Sequence, residues 1–216
     1  MKLYLKQLEL GPLQNFVYLI GSLETREAAV VDPAWDVPKI LETARQDEMR
    51  ITTILVTHTH FDHINGVRDL LKATDAQVLV HKKESEALPI EKSNLRGIEG
   101  GEEIALGPLK LSFLHTPGHT PGSVCYTTAD RLIAGDTLFV GGCGRCDLPG
   151  GDPEKMFQSL QRLGRLDDRL VLYPGHNYAV NPTSEIGKEK SYNPFLQASS
   201  LDSFLGLVGG VRRRDK

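Results

Sequence analysis

Thr57-His58-Thr59-His60-Phe61-Asp62-His63, "THTHFDH", packs three of the chain's seven histidines and one carboxylate into seven residues. It follows "ITTILV", an apolar, β-branched run of buried-strand type, so His58 and His60 fall at the end of a strand or just past it. Alternation there points the two rings the same way, and they could share one ion. Asp62 and His63 stand where a helical pattern begins, with Ile64, Val67, Leu70 and Leu71 at helical spacing. The change of chain direction turns these two side chains toward a neighbouring point, which suits a second ion. A lone histidine is most often structural, but four donors within six positions are not. Neutral imidazole and carboxylate together bind zinc, iron or manganese well.

Three later stretches repeat one arrangement. "HTPGHTPGS" places His119 in a loop punctuated by Pro and Gly after the strand pattern "LKLSFLH", "IAGDTLF" places Asp136 after another apolar strand, and "LYPGHNY" places His176 after a third. Each alone reads as a loop residue satisfied by a hydrogen bond or a turn cap. Recurrence of a strand delivering a polar donor into a Gly-bearing loop points to one rigidly held site.

The strand patterns are "FVYLIG", "AAVVD", "ITTILVTH", "AQVLVH", "LKLSFLH", "SVCYTT", "RLIAGD" and "RLVLYPG", with an alternating N-terminal stretch, "MKLYLKQLEL". Helical patterns cover residues 37–48, the segment from Asp62, and the segment that opens at Asp152-Pro153 as N-cap and first turn. Strand meanders mixed with single helices predict an α+β protein of two packed sheets with helices outside. A doubly wound parallel sheet is the competing architecture. Turn-length gaps between many strands favour antiparallel pairing over it.

The 216 residues read as a single domain, 1–216, long enough to bury a substantial core. A net charge of −3 supplies no field for nucleic acid, and the short basic end "RRRDK" reads as a solvated tail. No apolar run approaches the roughly 18 residues of a membrane span. The N-terminus lacks a signal-peptide core, and Cys125, Cys143 and Cys146 make no disulfide framework, so the expected compartment is a reducing cytoplasm. Cys143-Gly-Arg-Cys146 lies inside a Gly-rich loop, unlike a redox pair that opens a helix, although Cys143 is placed to line a pocket. His81 and His115 fall within or at strand ends and read as structural. Asp32, in "VVDPAWD", is either a turn residue or a hydrogen-bond partner behind a ligand.

The pattern His-x-His-x-Asp-His as "HTHFDH", with His119, Asp136 and His176 beyond it, resembles the metallo-β-lactamase fold superfamily over nearly the whole chain. The resemblance implies a four-layer αββα sandwich with a two-metal site at one edge of the sheets. By position, His58, His60 and His119 match ligands of the first metal and Asp62, His63 and His176 those of the second, with Asp136 bridging. The implied cofactors are two divalent ions, zinc foremost, with iron or manganese as alternatives. "GDTLFVGGCGR" and "PGHNY" are similar to the glyoxalase II group, thioesterases acting on hydroxyacylglutathione. The 40 residues after His176 are too few for the helical domain with which longer members hold glutathione, and "PTSEIGKEKSYNPFL" resembles the tail of short glyoxalase-II-like hydrolases.

That resemblance implies attack by a metal-held hydroxide on a thioester carbonyl, with Asp62 orienting it or taking its proton, and Arg145 and Tyr178 gripping the thiol portion of a small substrate. The expected partners are a small thioester, such as one linked to glutathione, and a second copy as a homodimer. "GCGRCDLPGGD" also resembles persulfide dioxygenases of the same superfamily. That alternative needs one Fe(II) held by His58, His119 and Asp136. A non-catalytic metal-binding scaffold is the third possibility, and seven filled donor positions argue against it.

Overall fold

In the computed structural model, residues 2–211 are described, so the basic tail "RRRDK" lies outside the described residues. Two six-stranded sheets face each other. The first takes its strands in chain order: β1 (Leu3–Leu10), β2 (Asn15–Ser22), β3 (Glu27–Val31), β4 (Arg50–Leu55), β5 (Gln77–His81) and β6 (Leu95–Ile98). The second is built from β7 (Glu103–Leu106), β8 (Leu109–His115), β9 (Val124–Thr127), β10 (Arg131–Gly135), β13 (Val171–Pro174) and β14 (Ser184–Glu185) in the order 14-13-10-9-8-7. A small hairpin, β11 (Leu138–Phe139) and β12 (Gly142–Cys143), hangs from the end of β10.

Both faces of the central strands are buried, and alternation sorts their side chains between two cores. Val17, Leu19, Ala28, Val30, Ile54 and Val56 face outward against α1 (Val37–Gln46) and α3 (Val67–Ala73). Phe16, Tyr18, Ile20, Ala29, Val31 and Leu55 face inward, where they meet Leu111, Phe113, Tyr126 and Ile133 of the second sheet. A third core, with Leu132, Ala134 and Leu172, lies under α4 (Pro153–Leu163), α5 (Ile186–Tyr192), α6 (Pro194–Gln197) and α7 (Leu201–Val211). The layers are helix, sheet, sheet, helix: the αββα sandwich.

The pairing is mixed. β1, β2 and β3 are antiparallel neighbours, but β3, β4, β5 and β6 run parallel, as do β10 and β13. Turn-length spacing foretold the meanders. The parallel pairs arise where a long connection returns the chain: α1 between β3 and β4, residues 56–76 between β4 and β5, residues 82–94 between β5 and β6, and the stretch with α4 between β10 and β13. The expected helix from Asp62 is interrupted: α2 (Phe61–Ile64) ends at Asn65, and α3 starts after Gly66, whose added Cβ would lie 2.8 Å from the Pro33 carbonyl oxygen. Asp36 and Asp152 cap α1 and α4 by accepting from the backbone N–H of Lys39 and Lys155, each with proline in the first turn. Among the described residues no helix is long and apolar enough to cross a membrane.

Candidate metal centre

The seven sequence-predicted donors meet at one edge of the sandwich. β4 ends at Leu55, so His58 and His60 sit in the extended loop beyond it rather than on the strand, and His60 immediately precedes α2 without a side-chain capping bond. Asp62 and His63 lie in that single helical turn. His119 comes from the β8–β9 loop, Asp136 directly follows β10, and His176 follows β13. The rings of His58, His60 and His119 lie with centroids 4.5–4.8 Å apart. Donor atoms of this trio fall within 4.8 Å of one another, and so do those of Asp62, His63 and His176. Asp136 stands between the groups: Oδ2 is 3.4 Å from Nε2 of both His119 and His176, and Oδ1 is 3.3 Å from His63 Nε2.

Outer hydrogen bonds fix which nitrogen each ring turns inward. His63 Nδ1–H donates to Asp32 Oδ2 at 3.0 Å, His119 Nδ1–H to the Arg145 carbonyl at 2.7 Å, and His176 Nδ1–H to the Leu13 carbonyl at 2.9 Å. The Thr57 hydroxyl donates to Asp32 Oδ2 at 2.6 Å, so it accepts from His58 Nδ1–H at 3.0 Å. Each proton on Nδ1 leaves an Nε2 lone pair aimed at the centre, as in rings that bind a cation. His63 Nε2 and His176 Nε2 then face each other at 3.1 Å. A proton on His63 bridges that contact in the metal-free protein, and a cation bound beside both rings would take its place. Nε2 of His58, Nε2 of His119 and Oδ1 of Asp136 are buried with no hydrogen-bond partner. Such orphaned donors are costly in a dry interior, and a cation satisfies all three. The donor set fits divalent metal.

Asp32 forms a third cluster with His58 and His63. It is already spent: Oδ1 accepts the Thr57 backbone N–H at 2.7 Å and Oδ2 takes both Thr57 Oγ1 and His63. It braces the donors from behind. Asn15 does the same for Asp62, and the sequence pattern gave no sign of it. Its Nδ2 donates to Asp62 Oδ2 at 2.9 Å and to the Asp62 carbonyl at 3.0 Å, while its Oδ1 accepts Trp35 Nε1–H at 2.8 Å. Glu84, also missed, accepts from the backbone N–H of Gly122 at 2.8 Å and from the hydroxyl of Thr59, joining the loops that carry His60 and His119.

Two glycines make room for Asp136. A Cβ on Gly175 would lie 2.2 Å from Asp136 Oδ1, and one on Gly144 would lie 1.8 Å from the Asp136 carbonyl oxygen. Charge follows from the crowding. Burial would raise the Asp136 carboxyl, but His63, His176 and His58 around it hold it well below the usual carboxylate range. Burial, then the neighbouring His63 charge, pushes His58 well below the usual imidazole range. His60 is lowered too, by burial and His119. Burial would likewise lower His63, yet Asp136, Asp32 and Asp62 together lift it to about 9.

The two expected substrate residues lie apart from each other. Tyr178 is exposed and stacks on the His176 ring at 4.6 Å and 10°. Arg145 is turned the other way, its guanidinium forked onto Asp147 at 3.0 Å by two bonds, and it lines a cavity of about 310 Å³ with Cys143, Cys146, Phe195, Leu205 and Val208. Cys143 and Cys146 carry no disulfide. His81 and His115 stack on each other at 4.1 Å, away from the donors.

Residues 10–176 match the model of the metallo-beta-lactamase superfamily. The chain belongs to that superfamily. It is 34% identical over 192 residues to "Probable polyketide biosynthesis zinc-dependent hydrolase PksB" of Bacillus subtilis (strain 168), covering 88% of this chain and 85% of that protein. It is also 34% identical over 223 residues to the hydroxyacylglutathione hydrolase of Pseudomonas entomophila (strain L48), covering 87% and 83%. Among solved structures, ETHE1 from Myxococcus xanthus superposes with a TM-score of 0.89 at 30% identity, over 98% of this chain and 92% of that one.

Proposed function

We propose that this chain is a metal-dependent thioester hydrolase of the glyoxalase II type with two metal seats. His58, His60 and His119 would hold the first ion, Asp62, His63 and His176 the second, and Asp136 would bridge. The observation that carries this reading is the convergence of Asp62, His63 and His176, whose donor atoms lie within 4.8 Å of one another, with Asp136 between them and the trio of His58, His60 and His119. That second cluster offers a seat for a second cation beside the one that the three orphaned atoms suit. Zinc is the favoured metal, since the donors are nitrogen and oxygen and PksB is described as zinc-dependent. Iron and manganese suit the same donors.

Bound there, such ions supply an acidified water near neutral pH and an electrophile for a carbonyl oxygen. The chain's own residues do the rest. Asn15 fixes one oxygen of Asp62 and leaves the other to orient the attacking water or take its proton. Asp32 fixes the His63 ring. Tyr178, more than half exposed yet partly covered, has its phenol pushed up to about 12 by that partial burial and by Asp136 and Asp62, and stays a hydrogen-bond donor for the thiol portion of the substrate. A thiolate leaves readily because its own pKa is low, so no strong general acid is required. Hydroxyacylglutathione-like thioesters are the proposed substrate class, in line with the relative in Pseudomonas entomophila. Arg145 would contribute to the thiol side through the loop whose carbonyl holds His119.

A second reading has a specific observation behind it. The orphaned atoms belong to His58, His119 and Asp136, the two-histidine, one-carboxylate trio that a mononuclear iron persulfide dioxygenase would use. Metal analysis with parallel assays of S-lactoylglutathione and glutathione persulfide separates the two. Thiol release with about two ions per chain is expected. Oxygen uptake with one iron would overturn the hydrolase.

A further inference from the structure

Two large apolar side chains stand in the open at the edge of the donor cluster: Phe61 is 71% exposed and Leu13 is 48% exposed. Single exposed apolar residues are ordinary, but a group fastened to one opening marks a binding surface. Both are fastened. Phe61 lies between His60 and Asp62 in the chain, and the Leu13 carbonyl is the acceptor of His176 Nδ1–H. Phe61 thus adjoins Asp62 along the chain, and Leu13 adjoins His176 through its backbone. Trp35 joins them, its ring edge-on to Phe61 at 6.1 Å and 85°. Asn15 ties the set together, because the side chain that accepts Trp35 Nε1–H also donates twice to Asp62. Gly11 completes the fit: a Cβ there would fall 2.3 Å from the Trp35 ring.

Resting on the thioester hydrolase reading, we infer that Leu13, Trp35 and Phe61 form an acyl subsite, so that within the proposed class of thioesters, which includes the small hydroxyacyl ones, those with an extended hydrocarbon acyl chain are favoured. The thiol side of the opening is left to Tyr178, whose ring lies flat on that of His176. A chain leaving the scissile carbonyl past Asp62 meets aromatic and aliphatic surface at once, and each methylene laid on it is removed from water. A docked protein face is the poorer occupant. It would cover the edge that any substrate must cross, and the rim is pinned by hydrogen bonds to Asp62 and His176 rather than carried on a free loop.

The test is a series of acyl N-acetylcysteamine thioesters from acetyl to octanoyl, with S-lactoyl N-acetylcysteamine beside them, on metal-loaded protein. We expect kcat/KM to rise about threefold per added methylene. Leu13→Ala and Phe61→Ala should flatten that rise to less than about 1.5-fold per methylene. Trp35, the chain's one tryptophan, gives a readout that needs no turnover. Its emission should shift on titration with the S-octyl thioether, and Phe61→Ala should weaken that binding about tenfold. A flat wild-type series, preference for lactoyl over octanoyl, or slopes unchanged in both variants would overturn the subsite. A change in sedimenting mass in the variants with unchanged slopes would reassign the patch to a second copy and overturn it equally. If no thioester is cleaved, the hydrolase reading fails on its own, and the Trp35 titration still decides whether the rim binds hydrocarbon.

Discussion

Asp32 binds nothing foreign, yet the position of His63 depends on it. Its backbone is held at φ +50, a left-handed conformation that an aspartate tolerates, with three bonds converging on its carboxylate. Asp32→Ala removes the acceptor of His63 Nδ1–H and lets the ring rotate. Metal affinity should fall about 10- to 100-fold, read by chelator competition, with the first trio less affected. Unchanged affinity would show that His63 is held by the metal alone. Asn15→Ala acts on the other side of the same seat. It frees Asp62 Oδ2 and strands the Trp35 Nε1–H, so it should lower kcat more than KM and cost about 1–3 kcal/mol in urea unfolding. The two braces were unequally visible. A carboxylate in "VVDPAWD" before the motif strand attracts notice, whereas an asparagine opening a strand does not. The carbonyls of Leu13 and Arg145, which set the tautomers of His176 and His119, carry no side-chain signature at all.

Elements brace the site from further out. α5 clamps the β11–β12 hairpin: buried Glu189 accepts the Gly141 backbone N–H at 2.8 Å and Asn193 Nδ2 at 2.9 Å, together with the Tyr192 hydroxyl, while Asn193 donates to the Gly142 carbonyl at 3.0 Å. The hairpin leads into Gly144 and Arg145, which touch Asp136 and His119. Glu189→Ala leaves buried donors unmet and should destabilise the fold by about 2–4 kcal/mol in urea. The segment "EKSYN" was legible as a family tail, but its work as a clamp depends on contacts across about fifty positions in the chain. His81 and His115, stacked where β5 and β8 end, give an acid response. Burial lowers both; His115 and then Lys83 lower His81 further against upward pulls from the Glu99 carbonyl and Glu84, and Lys83 and Arg162 lower His115 against the Pro121 carbonyl. A depressed imidazole is neutral when folded and protonates more readily when unfolded. Stability from this pair is therefore full above the ordinary value of 6.5 and is lost as pH falls below it. With metal chelated, the loss between neutral pH and about pH 5.5 should be smaller in His115→Gln than in the wild type. Equal losses would clear the pair of that role.

At the scale of the molecule, seven donors come from loops and one helical turn at one end of two sheets, and the strands that aim them do not need the ion to form. Removing metal should leave far-UV dichroism nearly intact and lower the melting temperature. A free ion at a thousand times its Kd stabilises the native state by about 4 kcal/mol. Collapse of secondary structure on chelation would instead make the metal part of the fold. The sandwich itself was legible because strand alternation and the spacing of the donors are local patterns. Its mixed pairing was not, because crossover direction depends on which helix carries the chain back. The distribution of donors along the chain adds one consequence. The first sheet and its helices end at Ile98 and contribute His58, His60, Asp62 and His63, whereas everything from Glu103 onward contributes His119, Asp136 and His176. Neither part owns a complete seat. If the chain were cut between Ile98 and Glu103, the metals would become the clasp of a two-piece protein, and recovered turnover would count how many halves had found each other.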